Sequence, residues 1–345
     1  MTRCLVCRST GRRRLLDFGR QPVSSHFAEK PNAPLVTHPL ELAACSVCGI
    51  IQLEHPYPFE DLVPPFDWIS YREPEDHLDA LVGRIRELPN VAKSSVVAGL
   101  TYKDRTTLDR FGRAGHLTRW QLDPAGDLGA THPNANIETV HGLLSPEVAP
   151  CVAKTRGPAD VLIARHIAEH AQQPWRFLKA LEELVKPYGM IAIEVPDCER
   201  NLQLQDYTMV WEEHSLYLTE ETLPSLLSGS AFMPLETLRY AYPFEDVLVL
   251  LAQRTEPAGE ADANVDRIGS KTLDLADEYA ADFDVWTQRL NDSFASLRAE
   301  GLLALYGAGH LTAAFLNLHR LARHFEFVVD DTPEKQGLFL PGSGL

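Results

Sequence analysis

Two closely spaced cysteine pairs near the amino terminus place the strongest constraint on how this chain can fold. They are Cys4-x-x-Cys7 and Cys45-x-x-Cys48, and Gly49 follows the second pair, at a turn that needs positive φ. Two residues between cysteines allow both sulfurs of a tight turn to bind one metal ion, and two such turns complete a tetrahedral site. Because thiolates then fill every position, the pattern predicts a structural Zn²⁺ and not a catalytic one.

The overall charge narrows the classes of function. The chain has 345 residues, with 32 lysines and arginines against 48 acidic residues, and its net charge is −16. This balance argues against a nucleic-acid or anionic-membrane surface, since binding phosphates requires a cationic face. No apolar run approaches the roughly 18 residues of a membrane span, and no hydrophobic signal segment begins the chain. We therefore expect a cytoplasmic protein whose partner is a small molecule, with no nucleic acid and no membrane.

Short apolar strands alternate with helical segments through the centre of the chain. Strands are predicted at 91–99, 117–123, 137–140, 160–164, 190–195, 235–242 and 247–252. This alternation predicts a parallel, doubly wound α/β sheet, and a terminal hairpin on such a sheet is typical of S-adenosylmethionine (SAM) methyltransferase domains. We expect a zinc-binding domain over residues 1–65, a SAM-methyltransferase-like Rossmann domain over 75–254, and a smaller C-terminal Rossmann-like α/β domain over 265–345.

The order of these parts resembles the sugar C-methyltransferase family. The resemblance covers nearly the whole chain and implies a SAM-dependent C-methyltransferase with structural Zn²⁺, acting on a nucleotide-linked keto-deoxysugar. Members of that family run on beyond the point where this chain stops, which predicts a shortened or truncated third domain. Besides the cysteine pairs, the motifs that carry the resemblance are HIAEH at 166–170, EVPD at 194–197, EHSLY at 213–217, YGAG at 306–309, DDTPEKQG at 330–337 and LPG at 340–342.

The resemblance also implies a set of catalytic residues. In the family, a base removes the proton beside a ketone of the sugar, and the enolate carbon then takes the methyl group. Such chemistry needs a base whose pKa is near neutrality and a donor for the enolate oxygen. We predict that His214 is the base, that Glu213 orients it, and that Tyr71 or Tyr217 donates the hydrogen bond.

Three residues are predicted to contact the cofactor. Gly99 ends the first strand of the central sheet, where a glycine lets the backbone approach SAM closely. Asp123 ends the second strand, where a carboxylate accepts the ribose hydroxyls of an adenine nucleotide. His166 lies in the turn after the fourth strand, within a motif that matches the family, and is predicted to line the same pocket.

Four further residues are predicted to contact the nucleotide-linked sugar. Glu194 lies at the carboxyl end of a strand, where ligands bind in open sheets. Gly307 and Gly309 form a Gly-x-Gly turn after a short strand. Asp330 follows 21 residues after Gly309, at the distance of a ribose-binding acid in a nucleotide fold.

The loop after the first central strand leaves two alternatives open. The family has several glycines there, whereas this chain keeps only Gly99 and carries a charge at Lys103. One alternative is a methyltransferase-fold protein with altered or lost SAM binding that acts as a binding or scaffold subunit. The other is a methyltransferase that acts on a different small molecule.

Overall fold

A computed structural model describes residues 3–31, 33–69, 73–255 and 269–345. Its amino-terminal part is a small antiparallel sheet. The strands are β1 (Arg12–Pro22), β2 (Thr37–Cys45) and β3 (Ile51–Leu53), and a short helix α1 (Phe59–Leu62) follows. The cysteine pairs lie on the turns that flank these strands, so the metal module and the sheet form one unit.

The central part is a mixed sheet whose strands run in the order β5-β4-β6-β7-β10-β9. The first four are parallel, and β10 is antiparallel to both of its neighbours. The predicted parallel sheet with a terminal hairpin is therefore confirmed. The strands of this region are β4 (Val97–Gly99), β5 (Arg119–Gln121), β6 (Ala159–Arg165), β7 (Val185–Pro196), β8 (Leu216–Tyr217), β9 (Phe232–Tyr240) and β10 (Val247–Arg254).

Helices cover both faces of the central sheet. Along β6, Val161 and Ile163 belong to an apolar core with α2 and α3, whereas Leu162 and Ala164 belong to a core with α5, α6 and α7. Successive strand residues point to opposite faces, so this division shows a doubly wound arrangement. The helices are α2 (Leu78–Arg86), α3 (Arg105–Arg113), α4 (Pro124–Leu128), α5 (Ile137–Leu143), α6 (Ala149–Arg156), α7 (Pro174–Leu184) and α8 (Glu199–Leu204).

The strand predicted at 137–140 is wrong, because that segment begins helix α5. Asn136 caps the helix: its side chain accepts from the Thr139 N–H, and the Thr139 side chain accepts from the Asn136 N–H. Ile137, Val140 and Leu144 are buried at helical spacing. A four-residue apolar run does not distinguish a strand from a helix by periodicity.

The strand β8 joins the central region to the amino-terminal sheet. It pairs with β3, through Ile51 opposite Tyr217 and Gln52 opposite Leu216. The sheet order is therefore β1-β2-β3-β8. The segment that carries Glu213 and His214 ends in this strand, so the metal module fixes where these side chains lie.

The C-terminal part is a smaller α/β unit, as predicted. A long helix α9 (Ser270–Glu300) leads into β11 (Ala304–Tyr306), α10 (His310–Leu318) and β12 (Phe327–Val329), and the two strands are parallel. Its own core includes Leu316, Leu321 and Phe325. Within the described ranges, no helix is long and apolar enough to cross a membrane.

We predict that Gly99→Ala destabilises the fold, whereas Gly83→Ala does not. A Cβ at Gly99 would lie 2.7 Å from the Asp104 Cβ and 3.2 Å from the Leu108 Cδ1, while one at Gly83 meets no atom within 4 Å. The first substitution should cost about 1–3 kcal/mol of unfolding free energy. The second should add up to about 1 kcal/mol, because alanine favours the helix. Urea unfolding checks both, and equal effects would contradict this packing role of Gly99.

Candidate active site

The four predicted metal ligands lie together in the amino-terminal module. The Sγ atoms of Cys4 and Cys48 are 3.7 Å apart, those of Cys7 and Cys45 are 3.6 Å apart, and all four lie within 4.8 Å of one another. Thiolates at about 2.3 Å from a tetrahedral Zn²⁺ stand roughly 3.8 Å apart, so the set fits this metal. Gly49 has the expected positive φ, at 75°.

A buried ion network closes the carboxyl edge of the central sheet. Arg165, only 1% exposed in its side chain, donates from Nε to Glu194 Oε1 at 2.9 Å and from Nη1 to the Lys103 carbonyl at 2.6 Å. The other Glu194 oxygen lies 3.1 Å from His77 Nε2. The network therefore ties the ends of β6 and β7 to the loop after β4 and to the segment before α2.

Four adjoining cavities open along this edge. The strand-end cavity, of about 330 Å³, lies between Thr101 and Asp123. It adjoins the middle cavity, of about 290 Å³, and Tyr102 lines both. Trp211 lines the middle cavity and also the large cavity, of about 570 Å³. His310 lines the large cavity and the C-terminal cavity, of about 390 Å³, so the three parts of the chain share one continuous site.

A polar wall separates the middle cavity from the large cavity. Glu213 lines the middle cavity, whereas the next residue, His214, lines the large cavity. The role predicted for Glu213, to orient or tune His214, stays a prediction, since the two residues line different cavities. A carboxylate does orient His170, whose Nδ1 lies 2.7 Å from Glu138 Oε1.

Burial and neighbouring charges change the pKa values of His214, Glu213 and His166 at this wall. Burial, followed by the nearby His170, lowers the pKa of His214 well below its usual value, so this imidazole is neutral at pH 7. Burial and the Glu138 carboxylate raise the pKa of Glu213 well above its usual range. For His166, burial is outweighed by Glu73 and Glu169, which raise its pKa to about 10. A neutral His214 can accept a proton, and a cationic His166 can attract an anion.

Tyr217, one of the two predicted tyrosine donors, does not line the four described cavities. It is buried, and its hydroxyl donates to the Trp211 carbonyl and accepts from the Trp211 N–H, both at 3.0 Å. The enolate-donor role predicted for Tyr217 is therefore corrected: it positions the Trp211 backbone. Tyr71 lies outside the described residues.

The predicted cofactor residues are divided between two cavities. Asp123 lines the strand-end cavity at the end of β5, and its side chain also accepts from the Ala125 N–H at 3.2 Å. Gly99 is buried with its missing side chain directed at Asp104, so packing against α3 requires the glycine. His166 lines the large cavity, and its predicted contact with the cofactor stays a prediction.

The predicted substrate residues are mostly held within the protein. Glu194 is fully buried in the ion network and does not line the four described cavities. Asp330 accepts from the Ala308 N–H and the Lys335 ammonium through Oδ2, and from the Thr332 N–H through Oδ1. These hydrogen bonds connect the turn of Gly307 and Gly309 to the end of β12. Gly309 lines the C-terminal cavity, and Gly307 has φ of 95°.

Sequence reasoning missed several residues that form the site. Glu138, Arg165 and Trp211 were not singled out, and Lys103 was noted only as a departure from a glycine-rich loop. Lys103 follows β4, and Arg165 is the last residue of β6. Both lie at the carboxyl edge of the sheet, where ligands bind in open α/β sheets, so their positions could have indicated them. Nothing local marked Glu138, because its helix was assigned as a strand.

Both ends of the chain match known families. Residues 4–62 match the family described as "Putative zinc binding domain", and residues 252–345 match "C-methyltransferase C-terminal domain". The two matches flank the central sheet, so both ends of the chain resemble parts of C-methyltransferases.

One curated relative is C-methyltransferase NovU of Streptomyces niveus, 22% identical over 358 residues, covering 99% of this chain and 84% of the relative. Solved structures with some likeness include a 1,6-didemethyltoxoflavin N1-methyltransferase from Burkholderia thailandensis, 16% identical with a TM-score of 0.34, covering 52% of this chain and 78% of that one. An O-methyltransferase family protein from the same organism is 15% identical with a TM-score of 0.34, covering 51% and 55%.

We predict one Zn²⁺ per chain and loss of that metal in Cys45→Ser. Removing one thiolate leaves three, and the free energy of metal binding is part of the free energy of folding. The variant should lose at least about 3 kcal/mol of unfolding free energy. Elemental analysis and chemical unfolding measure both. Cys151→Ser, which changes an exposed thiol outside the cluster, is the matched control. A metal-free protein of unchanged stability would contradict the assignment.

Proposed function

We propose that this protein uses SAM to methylate a nucleotide-linked keto-deoxysugar through an enolate. The observation that carries the proposal is the polar wall between the middle and large cavities. On one side of the wall, the neutral imidazole of His214 lines the large cavity. On the other side, the middle cavity adjoins the strand-end cavity, which Asp123 lines. Transfer requires the donor's methyl group to touch the enolate carbon, so the donor and the keto-sugar would meet where the two cavities adjoin at Trp211.

The strand-end and middle cavities fit the two halves of SAM. Asp123, at the end of β5, would accept the ribose hydroxyls, and Leu122 and Val140 offer apolar surface to the adenine. The middle cavity would take the amino-acid half, next to Glu138 and Glu213. SAM supplies an electrophilic methyl group when bound. The Glu138 carboxylate favours its cationic groups.

The large and C-terminal cavities suit the nucleotide-linked sugar. His214 would take the proton beside the ketone, and the electron pair of that C–H bond would form the enolate. The cationic His166 would lower the energy of the developing oxyanion. In the C-terminal cavity, Lys335 and the amino end of α10 offer positive charge to a diphosphate, beside the Phe27 ring.

A second candidate is a methyltransferase-fold protein with altered or lost SAM binding. One observation favours it: the Asp104 carboxylate accepts from the Leu100 N–H at 2.7 Å and from the Thr101 N–H at 2.8 Å. These amides are therefore occupied within the loop where a glycine-rich cofactor loop would present its backbone. Binding of S-adenosylhomocysteine, the demethylated form of SAM, distinguishes the two candidates.

We predict saturable binding of S-adenosylhomocysteine that weakens in Asp123→Ala. Loss of a carboxylate that accepts ribose hydroxyls should raise the Kd by about 10- to 100-fold. Calorimetric titration of the zinc-loaded protein measures it. Asp109→Ala, which removes an exposed carboxylate from α3, should leave the Kd unchanged. Absence of binding by the folded protein would overturn the SAM-dependent activity and favour the scaffold role.

We predict that His214→Asn lowers turnover at least about 100-fold while the Kd for S-adenosylhomocysteine stays within twofold. The base acts only when neutral, and its pKa lies below the ordinary 6.5, so the acidic limb of the wild-type kcat/KM profile should fall below pH 6.5. Formation of S-adenosylhomocysteine with a panel of nucleotide-linked keto-deoxysugars is the assay. His55→Asn, at an exposed histidine, is the control. Unchanged turnover would remove His214 from the mechanism.

A further inference from the structure

Three backbone donors at the start of the loop after β4 are engaged within the protein. Asp104 accepts from the Leu100 and Thr101 N–H groups through one carboxylate oxygen, and from the Arg165 N–H through the other at 2.9 Å. The Lys103 N–H is directed at the Thr101 hydroxyl at 3.3 Å. Side chains of this loop are therefore important for recognising a ligand in the middle cavity.

The middle cavity has one strong cation and several acidic residues. Among its described lining residues, Lys103 is the only lysine or arginine. The acidic residues there are Asp67, Glu138 and Glu213, and ligand atoms of the last two lie within 4.8 Å of each other and of His170. Burial raises the pKa of Glu213 well above its usual range, so the negative charge is that of Asp67 and Glu138. Opposite charges at separate points of a small cavity are the complement of a zwitterion.

Lys103 is held in place and remains charged. Its side chain is 5% exposed, and its ammonium pairs with the Glu73 carboxylate. Burial alone would lower the pKa of Lys103, but Glu73 outweighs burial and raises it. The Lys103 carbonyl is fixed by the fully buried Arg165 guanidinium. The ammonium is thus positioned before a ligand arrives, which reduces the entropy lost on binding.

We propose that Lys103 binds the α-carboxylate of the methyl donor, so that this loop recognises the amino-acid end of the donor through a side chain. The inference rests on the proposed function, because it assumes that the donor enters these cavities. Tyr102 lines both the strand-end and the middle cavity, so a donor whose ribose lies at Asp123 reaches Lys103 along that residue. The donor's ammonium then faces the Glu138 carboxylate.

The test compares two ligands that share an adenosine and differ at the amino-acid end. S-adenosylhomocysteine carries the carboxylate, and 5′-methylthioadenosine lacks it. In Lys103→Met, the Kd for S-adenosylhomocysteine should rise at least about tenfold, because a charge-assisted contact is lost, while the Kd for 5′-methylthioadenosine stays within twofold. Lys103→Arg should retain most of the affinity for S-adenosylhomocysteine.

Two further variants separate recognition from folding. The double variant Glu73→Gln with Lys103→Met does not leave the Glu73 carboxylate without its Lys103 partner, so it should fold where the single variant is unstable, and it should show the same ligand-selective loss. Lys179→Met, a lysine on α7 that does not line the described cavities, should change neither Kd.

The outcomes are distinguishable from those of the proposed function. Equal weakening of both ligands, or no weakening of either, in the folded variants would overturn the role of Lys103 while leaving SAM binding intact. Failure of the wild-type protein to bind either ligand would overturn the proposed function and this inference together.

Discussion

The buried guanidinium of Arg165 is the contact on which the carboxyl edge of the central sheet depends. It joins Glu194 on the neighbouring strand, the Lys103 carbonyl in the loop after β4, and the Pro74 carbonyl before α2. A charged group that is buried away from water needs a partner for each of its donors. The Arg165 side chain therefore constrains the positions of three separate segments. The cavities lie directly above those segments, and their shape follows from this network.

The metal module acts on the site through the peptide backbone. Its sheet takes β8 as a fourth strand, and β8 ends the segment that carries Trp211, Glu213 and His214. The Tyr217 hydroxyl then fixes the Trp211 backbone from below. The amino-terminal sheet therefore helps to position the segment that lies between the middle and large cavities.

Much of the fold followed from local patterns. The spacing of four cysteines predicted the metal module, and the alternation of apolar runs predicted the central sheet with its hairpin. The pattern failed at residues 137–140, where the reciprocal cap of Asn136 and Thr139 favours a helix. For the site, the sequence located Asp123, His166, Glu213 and His214 along the cavity edge, but it assigned Glu194, Tyr217 and Asp330 to ligands when their polar atoms are engaged within the protein.

The sequence by itself determined the four clustered cysteines and the parallel sheet with its terminal hairpin. Each of these depends on residues that are close in the chain or on a regular period. Only the tertiary structure decided which side chains meet: that Glu138 orients His170, 32 positions away, and that Glu213 and His214 face different cavities. Such contacts depend on how distant loops pack at the sheet edge, and the buried charges that fix them follow no periodicity along the chain.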